Sequence, residues 1–140
     1  MDRSGYTDDH CGDEWELIMY RGAVRSAIRG KRGQSFLREL VAALDSLPEK
    51  KLIAGELEES GQVCALGSVG KVRGLPVADL DPYDYDAVSA TFAIAPSLAR
   101  EIMWVNDEWA STPETRWATV RKWATENLAT LPTAPEAGGE

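Results

Sequence analysis

From Leu17 onward, apolar residues recur at intervals of three and four. Leu17, Tyr20, Val24 and Ile28 form one stripe, the spacing that places side chains on a single face of an α-helix. Arg21, Arg25 and Arg29 lie on a neighbouring stripe, and Arg32 joins it if the helix continues. Asp13, Glu14 and Glu16 sit at the start of this run, where the positive end of the helix dipole favours acids. Gly22 weakens the helix interior by about 1 kcal/mol relative to Ala. Gly30-Lys31-Arg32-Gly33 reads as a turn. A second helix over Gln34–Ser46 then carries Phe36, Leu37, Leu40, Val41 and Leu44 on one face, with Leu47 following at the same spacing. Arg38, Glu39, Ala42, Asp45 and Ser46 take its other face, and Pro48 ends it.

The pattern changes between residues 52 and 69. LIAGELE, then Glu59-Ser60-Gly61-Gln62, then VCALGSV predicts a β-hairpin with Ser60-Gly61 at its turn. Its strands are Leu52–Leu57 and Val63–Val69, with helix as the competing reading for Ala54–Glu59. Gly70, Gly74 and Pro76 mark a loop. Asp81-Pro82 signals a new helix with Tyr85, Val88 and Phe92 inward. Pro96 opens another, with Leu98, Ile102, Val105 and Trp109 on one stripe. Ser111-Thr112-Pro113-Glu114 starts a last one bearing Trp117, Val120, Ala124 and Leu128. The prediction is an α+β fold, a mainly helical single domain of about five helices with one β-hairpin near residues 52–69. Residues 1–12 read as a flexible acidic tail, 13–131 as the globular domain, and 132–140, rich in Pro, Ala, Gly and Glu, as a disordered tail.

Composition agrees with one soluble domain: 140 residues, 44% hydrophobic and 27% charged, enough for a single sizeable core. Charge changes the picture more. The net charge is −8, and it is uneven. Residues 1–20 set Asp2, Asp8, Asp9, Asp13, Glu14 and Glu16 against Arg3 alone; residues 21–39 set Arg21, Arg25, Arg29, Lys31, Arg32 and Arg38 against Glu39 alone. The overall field opposes loose binding to nucleic acid or anionic membrane, while a local basic patch still acts within a Debye length of about 8–10 Å. Cys11 and Cys64 are too few for a disulfide framework and read as reduced thiols. The N-terminus has acids where a signal peptide needs bases, and the longest charge-free segment, Ala87–Ala99, is too short to span a bilayer. These features predict a cytoplasmic protein.

Candidate chemistry is sparse. Asp79, Asp81, Asp84 and Asp86 gather four carboxylates, but an EF-hand loop counted from Asp79 needs Gly at its sixth position and Glu at its twelfth, where Asp84 and Ala90 stand. His10-Cys11 lacks zinc-ligand spacing. His10 is the only histidine, so any His-activated nucleophile would have to use a tail residue that nothing orients. Gly67-Ser68-Val69-Gly70-Lys71 misses the phosphate-loop pattern at Ala65 and Val72. The sequence therefore predicts no catalytic residue, no metal site and no cofactor. The arginine stripe has two readings: a solvated helix edge paired with the many acids, or a docking surface for phosphates. Helix, turn, helix and hairpin in succession suggest a winged helix-turn-helix, but the second helix would present Glu39 and Asp45 to DNA phosphates, which argues against major-groove reading.

The stretch RGAVRSAIRGKRGQSFLRELVAALDSLPEKKLIAGELEESGQVCALGSVGKVRG, with Leu98-Ala99-Arg100-Glu101-Ile102-Met103 and Asn106-Asp107-Glu108, resembles small proteins encoded by bacteriophages and prophages. The resemblance covers about residues 20–110 and carries no established activity, cofactor or catalytic residue. It implies a phage-encoded accessory protein working in the cytoplasm of a bacterial host. Two functions follow as expectations. In the first, the protein binds and inhibits or redirects a host protein complex, as in counter-defence. Its acidic surface at Glu56, Glu58, Glu59, Asp79, Asp81, Asp84, Asp86, Asp107 and Glu108 would mimic nucleic-acid phosphates. In the second, Arg21, Arg25, Arg29, Lys31 and Arg32 contact nucleic acid directly in gene control or DNA handling. The excess of acids favours the first. An enzyme whose site the sequence does not reveal is a third reading, and the oligomeric state is left open.

Overall fold

Leu37, Leu40 and Leu44 are completely withdrawn from solvent, and the helix that carries them lies at the centre of the fold. The computed structural model describes residues 14–129. In chain order these form α1 (Glu14–Arg29), α2 (Lys31–Ser46), β1 (Glu58–Glu59), β2 (Gln62–Val63) and α3 (Ala65–Arg73). A 3-10 turn (Val77–Asp79), α4 (Tyr85–Phe92), α5 (Pro96–Glu108) and α6 (Pro113–Asn127) follow. The chain is mainly helical with one antiparallel hairpin, the α+β class that the pattern predicts. α2 packs against α1, α3 and α6; α5 packs against α1, α3, α4 and α6. Phe36 of α2 meets Phe92 of α4 edge to face, ring centres 6.1 Å apart.

Six α-helices rather than five occur among the described residues. The extra one is α3, where the sequence reads as the second strand. The hairpin is real but short: Glu58 pairs with Val63 and Glu59 with Gln62, around Ser60 and Gly61, both at positive φ, as a tight hairpin turn requires. Residues 52–57 carry no strand, and the chain turns helical at Ala65. Cys64 is extended and its Sγ accepts the Gly67 N–H at 3.4 Å, capping the helix. A Cβ on Gly67 would lie 1.9 Å from the Leu57 carbonyl oxygen, so only glycine lets the helix settle against that segment. Gly74, in the left-handed region, ends α3. Residues 65–70 are all buried, so the helix shows no polar face before Lys71, and a short apolar run looks the same as a buried strand.

The predicted turn at residues 30–33 shrinks to Gly30, because α2 begins at Lys31. A Cβ on Gly33 would fall 1.9 Å from the Ala27 carbonyl oxygen; glycine here permits the close crossing of α1 and α2. The Gln34 side chain then fastens three ends together. Its Nε2 donates to Ile28 O at 2.7 Å and Asn127 O at 3.0 Å, and its Oε1 accepts from Ala129 N at 2.8 Å. The apolar face of α2 is as read, with Val41 half-buried. On α1, Val24 is buried and Tyr20 and Ile28 half-buried, but Leu17 is exposed, because the N-terminal half of α1 runs beyond the core.

The cap of α4 is Asp84, whose Oδ1 accepts the Ala87 N–H at 3.1 Å, rather than Asp81. Pro96 and Pro113 open α5 and α6 as expected, and Thr112 with Thr115 forms a reciprocal cap on α6. Leu98, Ile102 and Val105 are buried, whereas Trp109 lies past the end of α5, exposed, with its ring edge-on to Trp104. The predicted tails, 1–12 and 132–140, lie outside the described residues. No helix of the described residues is long and apolar enough to cross a membrane.

Candidate functional site

The acidic candidates are positioned by one buried amide. Asn106, with no exposed surface, accepts the Ala65 N–H on Oδ1 at 2.9 Å and donates from Nδ2 to Ile53 O and Asp107 Oδ1, both at 2.9 Å. Asp107 Oδ1 also accepts the Gly55 N–H at 3.2 Å. Ile53 N–H reaches Val63 O at 2.9 Å, and Cys64 N–H reaches Leu57 O at 3.1 Å. Leu52 is held from the other side, its N–H on Pro113 O at 3.1 Å and its carbonyl on Arg116 Nη1 at 3.0 Å. An irregular segment is thereby pinned at Leu52, Ile53, Gly55 and Leu57, so the glutamates it leads into have a fixed base.

Glu56 and Glu59 are exposed and Glu58 half-buried on that base. β1 packs beside the Val77–Asp79 turn, which puts exposed Asp79 next to the hairpin. The Gly55–Asp107 hydrogen bond joins positions 52 residues apart and brings Asp107 and exposed Glu108 to the same segment. The three acid groups at 56–59, 79 and 107–108 therefore adjoin. Asp81, Asp84 and Asp86 continue from Asp79 and are exposed. Two of them are partly committed locally: Asp81 Oδ1 accepts Tyr83 N–H at 2.9 Å, and Asp84 caps α4. Glu56, Glu58, Glu59, Asp79, Asp81, Asp84 and Asp86 make no ion pair with a described residue. Among the described residues no three acids, histidines or cysteines come close enough to hold a metal ion; the carboxylates spread over a surface.

The basic stripe divides. Arg21 Nη1 sits 3.1 and 3.3 Å from the two oxygens of Glu101, a carboxylate 2% exposed. Burial pushes the Glu101 carboxyl above the ordinary range, and the charge and hydrogen bonds of Arg21 only partly offset it. Arg21 is thus a structural partner of α5 and leaves the phosphate-binding set. Arg25, Arg29, Lys31 and Arg32 are exposed around the α1–α2 joint. Lys31 and Arg32 line a cleft of about 220 Å³ with Gly30, Gly33, Ala95 and Leu98.

Other ion pairs escaped the sequence reading because their partners lie far apart in the chain. Arg73 grips Glu39 with two 2.7 Å hydrogen bonds, and Arg121 holds Asp45 at 2.7 and 3.0 Å. Hydrogen bonding to those arginines lowers both carboxyls below the ordinary range. These two acids are the ones that counted against DNA reading by α2, and each has an arginine at hand. The exposed Trp15, Ile18 and Met19 were missed as well, although their spacing with Gly22 was present to be read.

Two crevices between elements are small, about 60 Å³ beside Leu47, Lys51 and Gln62 and about 220 Å³ beside Arg32, Glu39, Arg73 and Phe92. A wide groove of about 830 Å³, open to solvent, runs along α1 beside Leu17, Ile18, Met19, Gly22 and Ser26. Sites for drug-sized ligands run to about 300–1,000 Å³. What these residues offer chemically is charge on a surface. Compared with known proteins, the chain matches no family model, and no curated protein or solved structure shows significant similarity to it.

Proposed function

We propose that the chain is a binding protein without catalysis of its own, presenting the acidic surface around the hairpin to a basic surface on a protein partner. One observation carries this reading: the buried Asn106 and the packing of β1 on the Val77–Asp79 turn bring together carboxylates from three separate parts of the chain. Glutamates on a pinned segment lose little freedom on binding, so less of their attraction to a partner is spent on ordering. Carboxylates spaced over a surface offer a basic groove what phosphates offer it. With the resemblance to phage-encoded proteins, the partner is a complex of the bacterial host, held in the cytoplasm and inhibited or redirected. Where that complex handles nucleic acid, the outcome is counter-defence.

Capture from a bacterial lysate tests this. The tagged chain should retain a specific protein that elutes as salt rises, and the variant Glu56→Gln, Glu58→Gln, Glu59→Gln, Asp79→Asn should lose it while keeping its circular dichroism. Equal recovery by both proteins would remove the acidic surface from the account. A second reading, nucleic-acid binding, is favoured by the four exposed cations Arg25, Arg29, Lys31 and Arg32 at one joint.

A further inference from the structure

The cations at the α1–α2 joint are left unneutralised. Between Leu17 and Arg38 the chain has no acid, although it carries 23 in all. Arg25, Arg29, Lys31 and Arg32 are exposed and make no ion pair with a described residue. Two acids of the surrounding helices are already taken. Arg73 holds Glu39, which shares a crevice with Arg32, and Arg21 holds Glu101 of α5.

These cations gather at a cleft rather than on a flat face. Ser26, Gly30, Lys31 and Arg32 line it from one side, and Ala95 and Leu98 at the start of α5 line it from the other. Its volume is about 220 Å³. Arg25 and Arg29 each stand one residue before Ser26 and Gly30, about 100° round the helix, so they flank the same opening. Lys31 and Arg32 also occupy the first turn of α2, which contains no acid. Positive charge there opposes the positive end of the helix dipole. For the chain alone this arrangement is unfavourable. An anion in the cleft converts both the charges and the dipole into attraction.

The size of the cleft and its charge select the anion. The volume lies below the range of about 300–1,000 Å³ that drug-sized ligands need, yet four cations converge on it. A singly charged ion would use little of that field. A long polyanion would use all of it, but its further phosphates would meet the field of a chain whose net charge is −8. A short run of linked phosphates concentrates its charge where the cations stand and ends there.

We propose that this cleft binds a compact polyphosphate, two or three linked phosphates either free or carried by a nucleoside. Lys31 and Arg32 grip the phosphates, and Arg25 and Arg29 close over them from the neighbouring stripe of α1. The site uses the same cations as the nucleic-acid reading but takes a different ligand. It shares no residue with the acidic surface around the hairpin, so either can stand without the other.

Titration calorimetry of the full chain with inorganic tripolyphosphate, at an ionic strength of about 0.15 M, tests the proposal. Binding should saturate at one ligand per chain. Arg32→Gln should weaken it by about tenfold or more, through the loss of charge-assisted contacts. Ser26→Glu sets an acid on the cleft wall and should weaken binding as strongly, with an unchanged circular dichroism spectrum. Arg38→Gln removes an exposed arginine outside the cleft and should leave the affinity alone. Adenosine triphosphate that binds more tightly than tripolyphosphate supports the proposal and assigns a nucleotide; equal affinity supports it with the phosphate chain alone as the ligand. No saturable binding below about 1 mM overturns it. So does a loss with Arg38→Gln equal to that with Arg32→Gln, which marks a general charge effect. A single-stranded oligonucleotide that binds more tightly than tripolyphosphate and displaces it also overturns the proposal, in favour of nucleic acid.

Discussion

The amide of Asn106 and the carbonyl of Ile53, 53 positions apart in the chain, meet at 2.9 Å in a place water does not reach from the Asn106 side. The same side chain accepts the Ala65 N–H, so one residue of α5 fixes both the start of α3 and the segment leading into the hairpin. Asn106→Leu removes both partners at once. Each buried backbone group left unsatisfied costs about 1–3 kcal/mol, so the variant should lose roughly 2–5 kcal/mol in urea unfolding. A loss below about 1 kcal/mol would show that the segment is held by its other contacts.

Two glycines give opposite expectations from one substitution. Gly33→Ala drives a methyl into the Ala27 carbonyl; the α1–α2 crossing must open, at a cost of about 1–3 kcal/mol or more. Gly22→Ala meets no described residue within 4 Å and gains up to about 1 kcal/mol of helix propensity. Thermal melts should therefore move down for the first and up, or not at all, for the second. A fall in both would mean that α1 is packed differently at Gly22.

Glu101 makes stability depend on pH in a particular direction. Burial raises its pKa, against the partial offset from Arg21, so the folded chain binds that proton more tightly than the unfolded chain. Its contribution favours folding below the ordinary glutamate range, about 4.3, and is lost as pH rises through the raised value. Glu39 and Asp45, lowered by their arginines, contribute in the opposite sense, losing stability as pH falls. They are screened by solvent and add little. Comparing wild type with Glu101→Gln cancels those common terms. The stability of Glu101→Gln relative to wild type should rise between mildly acidic and neutral pH and then level off. A difference that does not change with pH would mean Glu101 titrates alike in both states.

What could be read in the sequence follows from where each signal resides. The apolar face of α2 was legible because Phe36, Leu37, Leu40 and Leu44 repeat the helical period over more than two turns and their opposite face is polar. Ser60-Gly61 gave away the hairpin, because a tight turn needs residues that accept positive φ. α3 was lost for the converse reason: residues 65–70 are buried on every side, so the burial that stabilises the helix erases its amphipathic pattern. Leu17 misled because periodicity continues past the point where the core ends. For the acidic surface, the residue types were visible but their adjacency was not. Nothing in the spacing of Gly55 and Asp107 announces that they touch, and likewise nothing paired Arg21 with Glu101, 80 positions away.

That last pairing sharpens the test that separates acidic-surface binding from nucleic-acid binding. If Arg25, Arg29, Lys31 and Arg32 hold phosphates, each contact releases counterions, and log affinity for duplex DNA should fall with log salt at about −0.9 per phosphate. Four contacts give a slope near −3.6 on that rule, and replacing Arg25 and Arg29 by Ala should bring it to about −1.8. Arg21→Ala should leave the slope alone, since Arg21 faces Glu101, and should instead lower the melting temperature by stranding a buried carboxylate. A slope that drops with Arg21→Ala as much as with Arg25→Ala would return Arg21 to the basic surface. On the reading preferred here, labelled duplex and single-stranded DNA titrated at two salt concentrations show no steep, submicromolar binding, because the net charge of −8 repels phosphates beyond the reach of four cations. Tight, salt-steep binding at physiological ionic strength would overturn that reading and make the α1–α2 joint the functional surface.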